Sequence, residues 1–256
     1  MKGGELMKAA FSVHALQRLH LSWWKFVLVL WALSMVPTPL FPDAFVALSY
    51  FSTTLLVIGT LGYGVEHYGS RAYLLFIVAF SFGVAIEWLG KTTGIPFGDY
   101  RYTASGPHIF GVPLLVPLGW WAFTLVALSL PKRYKLFLAP LALVAWDLGL
   151  DPLMVAKGFW SFEHGGVYFG VPFSNFVGWY VSGFTLVWIL MKLEPKLAKD
   201  SPRTLHLVFA VQTFLMSFGL MVFFGMPLAG LITFVAMGLC LLQTVKPRPK
   251  WMLQKQ

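Results

Sequence analysis

Asp147 and Asp151 stand four residues apart in KLFLAPLALVAWDLGLDPLMVA, a run otherwise apolar enough to cross a bilayer. On a spanning helix, residues four apart share a face about one turn from each other, so both carboxyl groups stack on one side. An ionised aspartate at mid-membrane costs about 2.5–3.5 kcal/mol even on the lenient insertion scale. Only ten of the 256 residues are Asp or Glu, so two of them here call for a use. Close carboxylates in a low dielectric repel unless they share a proton. A protonated acid beside an ionised one is an acid–base couple.

The elements that must position this pair follow from composition. The chain is 58% hydrophobic and 11% charged, with a mean hydropathy of +0.73. Soluble domains carry about 25% charged residues, so the class is a multi-pass membrane protein. A net charge of +9 raises nucleic-acid binding as a question. The basic residues, however, fall in short clusters between apolar runs, which argues against it. Cys240 is the single cysteine, permits no intrachain disulfide and reads as packing. Residues 1–21 carry no cleavable signal and read as a cytoplasmic segment, with 245–256 as a basic cytoplasmic tail.

At about 20 residues per span, the expectation is an all-α bundle of eight transmembrane helices in one integral membrane domain over 1–256. The spans are 22–41, 44–63, 71–90, 112–130, 135–156, 173–192, 205–224 and 226–244. Pro37, Pro39 and Pro42 end the first. Seven spans is the competing count, because the last two meet at Gly225-Met226-Pro227. With both termini cytoplasmic, fifteen Lys and Arg fall on the inner side and only Lys91, Arg101 and Lys157 on the outer side. That is a strong positive-inside bias and predicts a multi-pass protein of the cell membrane.

Two long connections then face outward, 91–111 and 157–172, rich in Gly, Pro and aromatic residues. Each ends in Phe-Gly-Val-Pro (110–113 and 169–172) just before the next helix. A duplicated helix–loop–helix unit explains the repetition.

This topology gathers the acids. Glu87, Asp99, Asp147, Asp151 and Glu163 all map to the outer half of two spans or to the two outer loops. The bland alternative for each is a helix cap, an ion pair with Arg101 or Lys91, or a bond from a tryptophan N–H. Trp88, Tyr100, Tyr102, Trp120, Trp121, Trp146, Trp160, Tyr168 and Trp179 lie in or beside the same region. An interfacial aromatic belt accounts for most such rings. A pocket whose ring faces stabilise a carbocation is the sharper reading, with Trp88 and Trp146 its preferred members because each adjoins a candidate acid.

Other chemistries fit less well. No HExxH or histidine-rich desaturase pattern occurs, and no phosphate-binding glycine loop precedes a helix. A zinc site from His108, His164 and a carboxylate is a weaker alternative. Asp147-Leu-Gly-Leu-Asp151 also resembles the magnesium–diphosphate DxxxD of membrane prenyltransferases, yet no second DxxxD exists and the outer side holds few cations. A transporter using the pair as a proton relay is the remaining alternative.

Three segments carry a family resemblance. They are EWLGKTTGIPFGDYRY (87–102), the Asp147…Asp151-Pro152 stretch, and Tyr168-Phe169-Gly170-Val171-Pro172 with Asn175-Phe176-Val177-Gly178-Trp179. Together they resemble the carotenoid biosynthesis hydratase family across residues 70–190. The resemblance implies a membrane enzyme that adds water to the terminal double bond of an acyclic carotenoid end group. The product is a tertiary alcohol, with no cofactor or metal required. Its implied partners are a membrane-embedded carotenoid, water and other carotenoid biosynthesis enzymes. For this chemistry Asp147 or Asp151 would donate the proton and the other tune it, while Glu87 or Asp99 would orient water and accept its proton. Asn175 and Arg101 would support by hydrogen bonds. Tyr100, Tyr102, Trp120, Trp160, Glu163 and Trp179 would join Trp88 and Trp146 around the substrate.

Overall fold

A computed structural model describes residues 22–244. The expectations for 1–21 and 245–256 lie outside the described residues. Among the described residues eight α-helices follow one another: α1 Trp23–Met35, α2 Phe45–Tyr68, α3 Arg71–Thr93, α4 Leu115–Ser129, α5 Lys135–Ala156, α6 Phe173–Leu193, α7 Arg203–Val222 and α8 Pro227–Leu242. The chain is thus an all-α membrane helical protein. Helices α2, α3, α5, α6 and α7 are long and apolar enough to cross a membrane, whereas α1, α4 and α8 are shorter apolar helices. The boundary between α7 and α8 is real. Gly225 takes a left-handed φ of 66°, and Pro227 opens α8 at a position where its missing N–H has no partner to lose.

The starts and stops follow local chemistry. Helix α1 ends at Met35, two residues before Pro37, and is shorter than the expected span of 22–41. Helix α3 stops because Gly94 adopts φ 75° and turns its N–H back onto the Gly90 carbonyl. The expected span 112–130 begins late, at Leu115, because Val112–Pro113 is spent on strand pairing.

Four short strands order the two long loops. Strand β1 (Tyr100–Tyr102) pairs antiparallel with β4 (Trp160–Phe162), setting Tyr100 opposite Phe162 and Tyr102 opposite Trp160. The ladder continues through Glu163 N–H to the Asp99 carbonyl at 2.9 Å. Strands β2 (His108–Ile109) and β3 (Val112–Pro113) form a hairpin. The two long loops therefore share one end of the bundle. The basic connections meet at the other, where Arg71 pairs with Glu194 at 3.3 Å and Lys135 donates to the Leu128 and Leu197 carbonyls.

The repeated Phe-Gly-Val-Pro is one turn used twice. Phe110 and Gly111 have φ 50° and 74°, and Phe169 and Gly170 have φ 52° and 82°. Two successive positive φ values mark the hairpin turn whose twist matches its flanking strands. The closing pairs also match, Ile109 with Val112 and Tyr168 with Val171. The correspondence runs on into the helices, since Gly119-Trp120 and Gly178-Trp179 keep the same spacing from their turns. These two tryptophans stack face to face, ring centroids 4.6 Å apart and 13° from parallel. A helix–strand–turn–helix unit occurs twice, as α3–β1–α4 and α5–β4–α6, and the halves meet at that stack.

Candidate active site

The core of the site lies where these two units face each other. Asp147, Asp151, Glu87 and Asn175 are 1%, 2%, 4% and 3% exposed, so each polar group depends on protein partners. Asn175, in the first turn of α6, extends Nδ2 toward α5. It donates to Asp147 Oδ2 at 2.8 Å and to Asp151 Oδ2. One amide nitrogen thus joins both carboxyl groups, which the helical spacing had already placed on one face. Asp147 Oδ1 has no hydrogen-bond partner among the described residues.

Glu87 comes from the penultimate turn of α3 and receives three donors. Tyr100 Oη and Tyr102 Oη donate to Oε2 at 2.7 and 2.6 Å, and Trp120 Nε1 donates to Oε1 at 3.0 Å. The tyrosines share a face because residues two apart on a strand point the same way. Three donors, with no cation among the described residues, match an acceptor-only carboxylate. Burial, reinforced by the Glu87 carboxylate, holds both phenols well above the ordinary tyrosine range, so they remain donors.

A small chamber of about 30 Å³ lies between these groups, lined by Glu87, Asp151, Asn175, Tyr100 and Tyr102 on its polar side. Val116, Trp160 and Trp179 close its apolar side. A volume of this size holds about two waters, since one needs roughly 10–15 Å³ by this kind of measure. Asp151 lines the chamber, and Asp147 stands behind it at Asn175.

Proline placement locks the turn that carries the aspartates. Pro152 has no N–H to give the Leu148 carbonyl four residues back. The Tyr168 hydroxyl donates to it instead, at 2.8 Å. Burial pushes this phenol up to about 12. The 157–172 loop is thereby fastened to α5 between Asp147 and Asp151. Tyr168 was expected only as one of the outer aromatic residues, with no role of its own; the signal for its role was the carbonyl that Pro152 orphans.

The remaining expected residues divide clearly. Trp160 and Trp179 wall the chamber, Trp120 bonds Glu87, and Trp146 lines an adjoining apolar cavity. Trp88, expected as a pocket member, is half exposed and lines a separate groove with Phe110. Helical geometry turns it away from its neighbour Glu87, because adjacent residues do not share a face. Asp99, Arg101 and Glu163 are not brought to the cluster. Asp99 faces His164 at 3.8 Å, and Arg101 pairs with Glu163 at 3.8 Å on the outer surface of the loop sheet. The alternation that turns Tyr100 and Tyr102 inward sends Arg101 outward. Among the described residues no group of three His, Cys, Asp or Glu side chains suits a metal ion, so His108 and His164 do not assemble one.

Residues 44–241 match the family model described as carotenoid biosynthesis protein. The chain is also 34% identical over 166 residues to the bisanhydrobacterioruberin hydratase of Haloarcula japonica, covering 60% of this chain and 55% of that protein. It therefore spans about half the length of the curated relative it matches. No solved structure matches the chain.

Proposed function

The chain belongs to the carotenoid biosynthesis protein family, and from that premise we propose that it hydrates the terminal double bond of an acyclic carotenoid end group. The observation that carries this reading is a buried acid cluster, bridged by Asn175 and facing an apolar wall of tryptophan. Alkene hydration needs an acid out of bulk water, a surface that tolerates a carbocation, and one ordered water. The cluster suits all three.

In this mechanism Asp151, the aspartate that lines the chamber, gives its proton to the less substituted alkene carbon. The π pair forms the new C–H bond and leaves a tertiary cation on the neighbouring carbon. The ring faces of Trp160 and Trp179 stabilise that cation through their negative quadrupoles. A chamber water adds its oxygen lone pair to the cation, and Glu87 accepts the proton that the water sheds. Tyr100, Tyr102 and Trp120 hold Glu87 for this step. Return of that proton to Asp151 resets the site, and the net change is one water added. Asn175 and Asp147 keep Asp151 in place, and Asp147 is the second member of the proton-sharing pair. The chemistry calls for no cofactor. We place the enzyme in the cell membrane with the loop end outward, as the basic residues favour.

The test is expression in a carotenoid-producing host with mass analysis of the pigments. A product heavier by one water is expected from the parent and absent with Asp151→Asn at matched expression. Hydration by the variant at the parental rate would falsify the assigned role.

A further inference from the structure

An apolar cavity of about 330 Å³ lies against the acid chamber, and the two share Val116, Trp160 and Trp179 as wall residues. Its two ends differ. The end nearest the acids is buried, floored by Trp146 and Trp160. The far end is lined by Val36 and Leu40, just beyond α1, and by Phe214 and Phe218 of α7, all of them exposed. Phe214 and Phe218 stand on α7, long and apolar enough to cross a membrane, so in a bilayer their exposed rings would meet lipid. The cavity thus runs from that rim to the back of the chamber.

We propose that this cavity is a lateral portal for a long apolar polyene, which enters end first from the bilayer between the end of α1 and α7. The proposal rests on the hydratase reading and names where its substrate lies. About 330 Å³ is near the lower limit of ligand pockets, roughly 300–1,000 Å³. It accommodates an end group and the first part of a polyene, leaving the rest in the bilayer. Recognition then falls on the end group and not on total length. A second apolar groove, of about 530 Å³ beside Ser81, Trp88 and Phe110, has no wall residue in common with the chamber. A polyene seated there would not reach Asp151.

Ser49, a small residue of α2 on the cavity wall, offers a plug. Protein purified from a carotenoid-producing host is assayed for bound polyene and for hydrated product. Ser49→Trp is expected to lose both by at least tenfold, whereas Asp151→Asn keeps the polyene and loses only product. Independently of folding, Leu40→Cys is compared with itself before and after a bulky maleimide. Labelling is expected to abolish hydration there and to leave Ser81→Cys, on the other groove, unaffected. Full activity of both blocked proteins overturns the portal while the hydratase reading stands. So does displacement of phospholipid alone by Ser49→Trp, which would make the cavity a lipid site. Blockage at Ser81 in place of Leu40 overturns it in favour of the other groove. A parent that binds polyene, loses it with Ser49→Trp and yet makes no hydrated product retains the portal and sinks the hydratase reading.

Discussion

Asn175 holds Asp151 and Asp147 through one nitrogen, so that α6 reads the face of α5 on which the two carboxyl groups stack. A helix periodicity puts the acids together, but a residue 24 positions further along the chain from Asp151 fixes their orientation. Substitutions at the three positions should therefore differ in kind. Asp151→Asn should lower hydration by about 10²- to 10⁴-fold, the range for a lost general acid. Asp147→Asn, one step behind the chamber, should cost less. Asn175→Leu should impair both rate and thermal stability. Pigment analysis and unfolding in detergent separate these effects.

Tyr102→Phe removes one of three donors to Glu87. A hydrogen bond to a charged group contributes about 1.5–3 kcal/mol, so the rate should fall roughly 10- to 100-fold. Burial and Glu87 hold the phenols of Tyr100 and Tyr102 above the ordinary range. The raised value means that the donor persists as pH climbs through about 10, where free tyrosine ionises. The ratio of parent to variant activity should then stay constant from pH 7 to 10. A ratio that collapses toward unity near the ordinary value would show the phenol to be unprotected.

Tyr168→Phe leaves the Leu148 carbonyl with neither its helical donor nor the hydroxyl. An unsatisfied buried acceptor costs about 1–3 kcal/mol, measurable as a lower melting temperature. The folded phenol is raised to about 12. Its contribution is complete below the unfolded value of about 10 and disappears only as pH rises through about 12. Parent and variant should differ equally at pH 6 and pH 9.

Gly178 lets the 91–111 loop lie directly on α6. A Cβ there would meet Phe97 Cδ1 at 2.6 Å and the Pro96 carbonyl oxygen at 2.9 Å. Phe97 in turn packs against Tyr100 and Trp179. Gly178→Val should cost about 1–3 kcal/mol as overpacking and reduce hydration with it. A variant as stable as the parent would mean that the loop yields without consequence.

Magnesium chelation separates the hydratase from the diphosphate alternative. None of Glu87, Asp151, Asn175, Tyr100 or Tyr102, the polar groups of the chamber, is a cation that could receive a diphosphate. Product formation by membranes should be unchanged in excess chelator. Loss of activity that magnesium restores would favour the prenyltransferase reading of Asp147 and Asp151.

The helices were legible in the sequence because burial in lipid demands long apolar runs, and proline or glycine must interrupt them. Asp147 and Asp151 were legible as a pair for the same reason, since helical spacing alone stacks them. Glu87 was identifiable by depth but not by its partners. Tyr100 and Tyr102 lie 13 and 15 residues away and bond to it only because β1 pairs with β4. Strand register decided that Arg101 and Glu163 point outward, and helix phase turned Trp88 away from Glu87. The chain by itself determined a membrane bundle with two acids on one helix face. The tertiary structure decided which polar groups close around them, because hydrogen bonds between distant segments depend on which faces the packed helices and paired loops present.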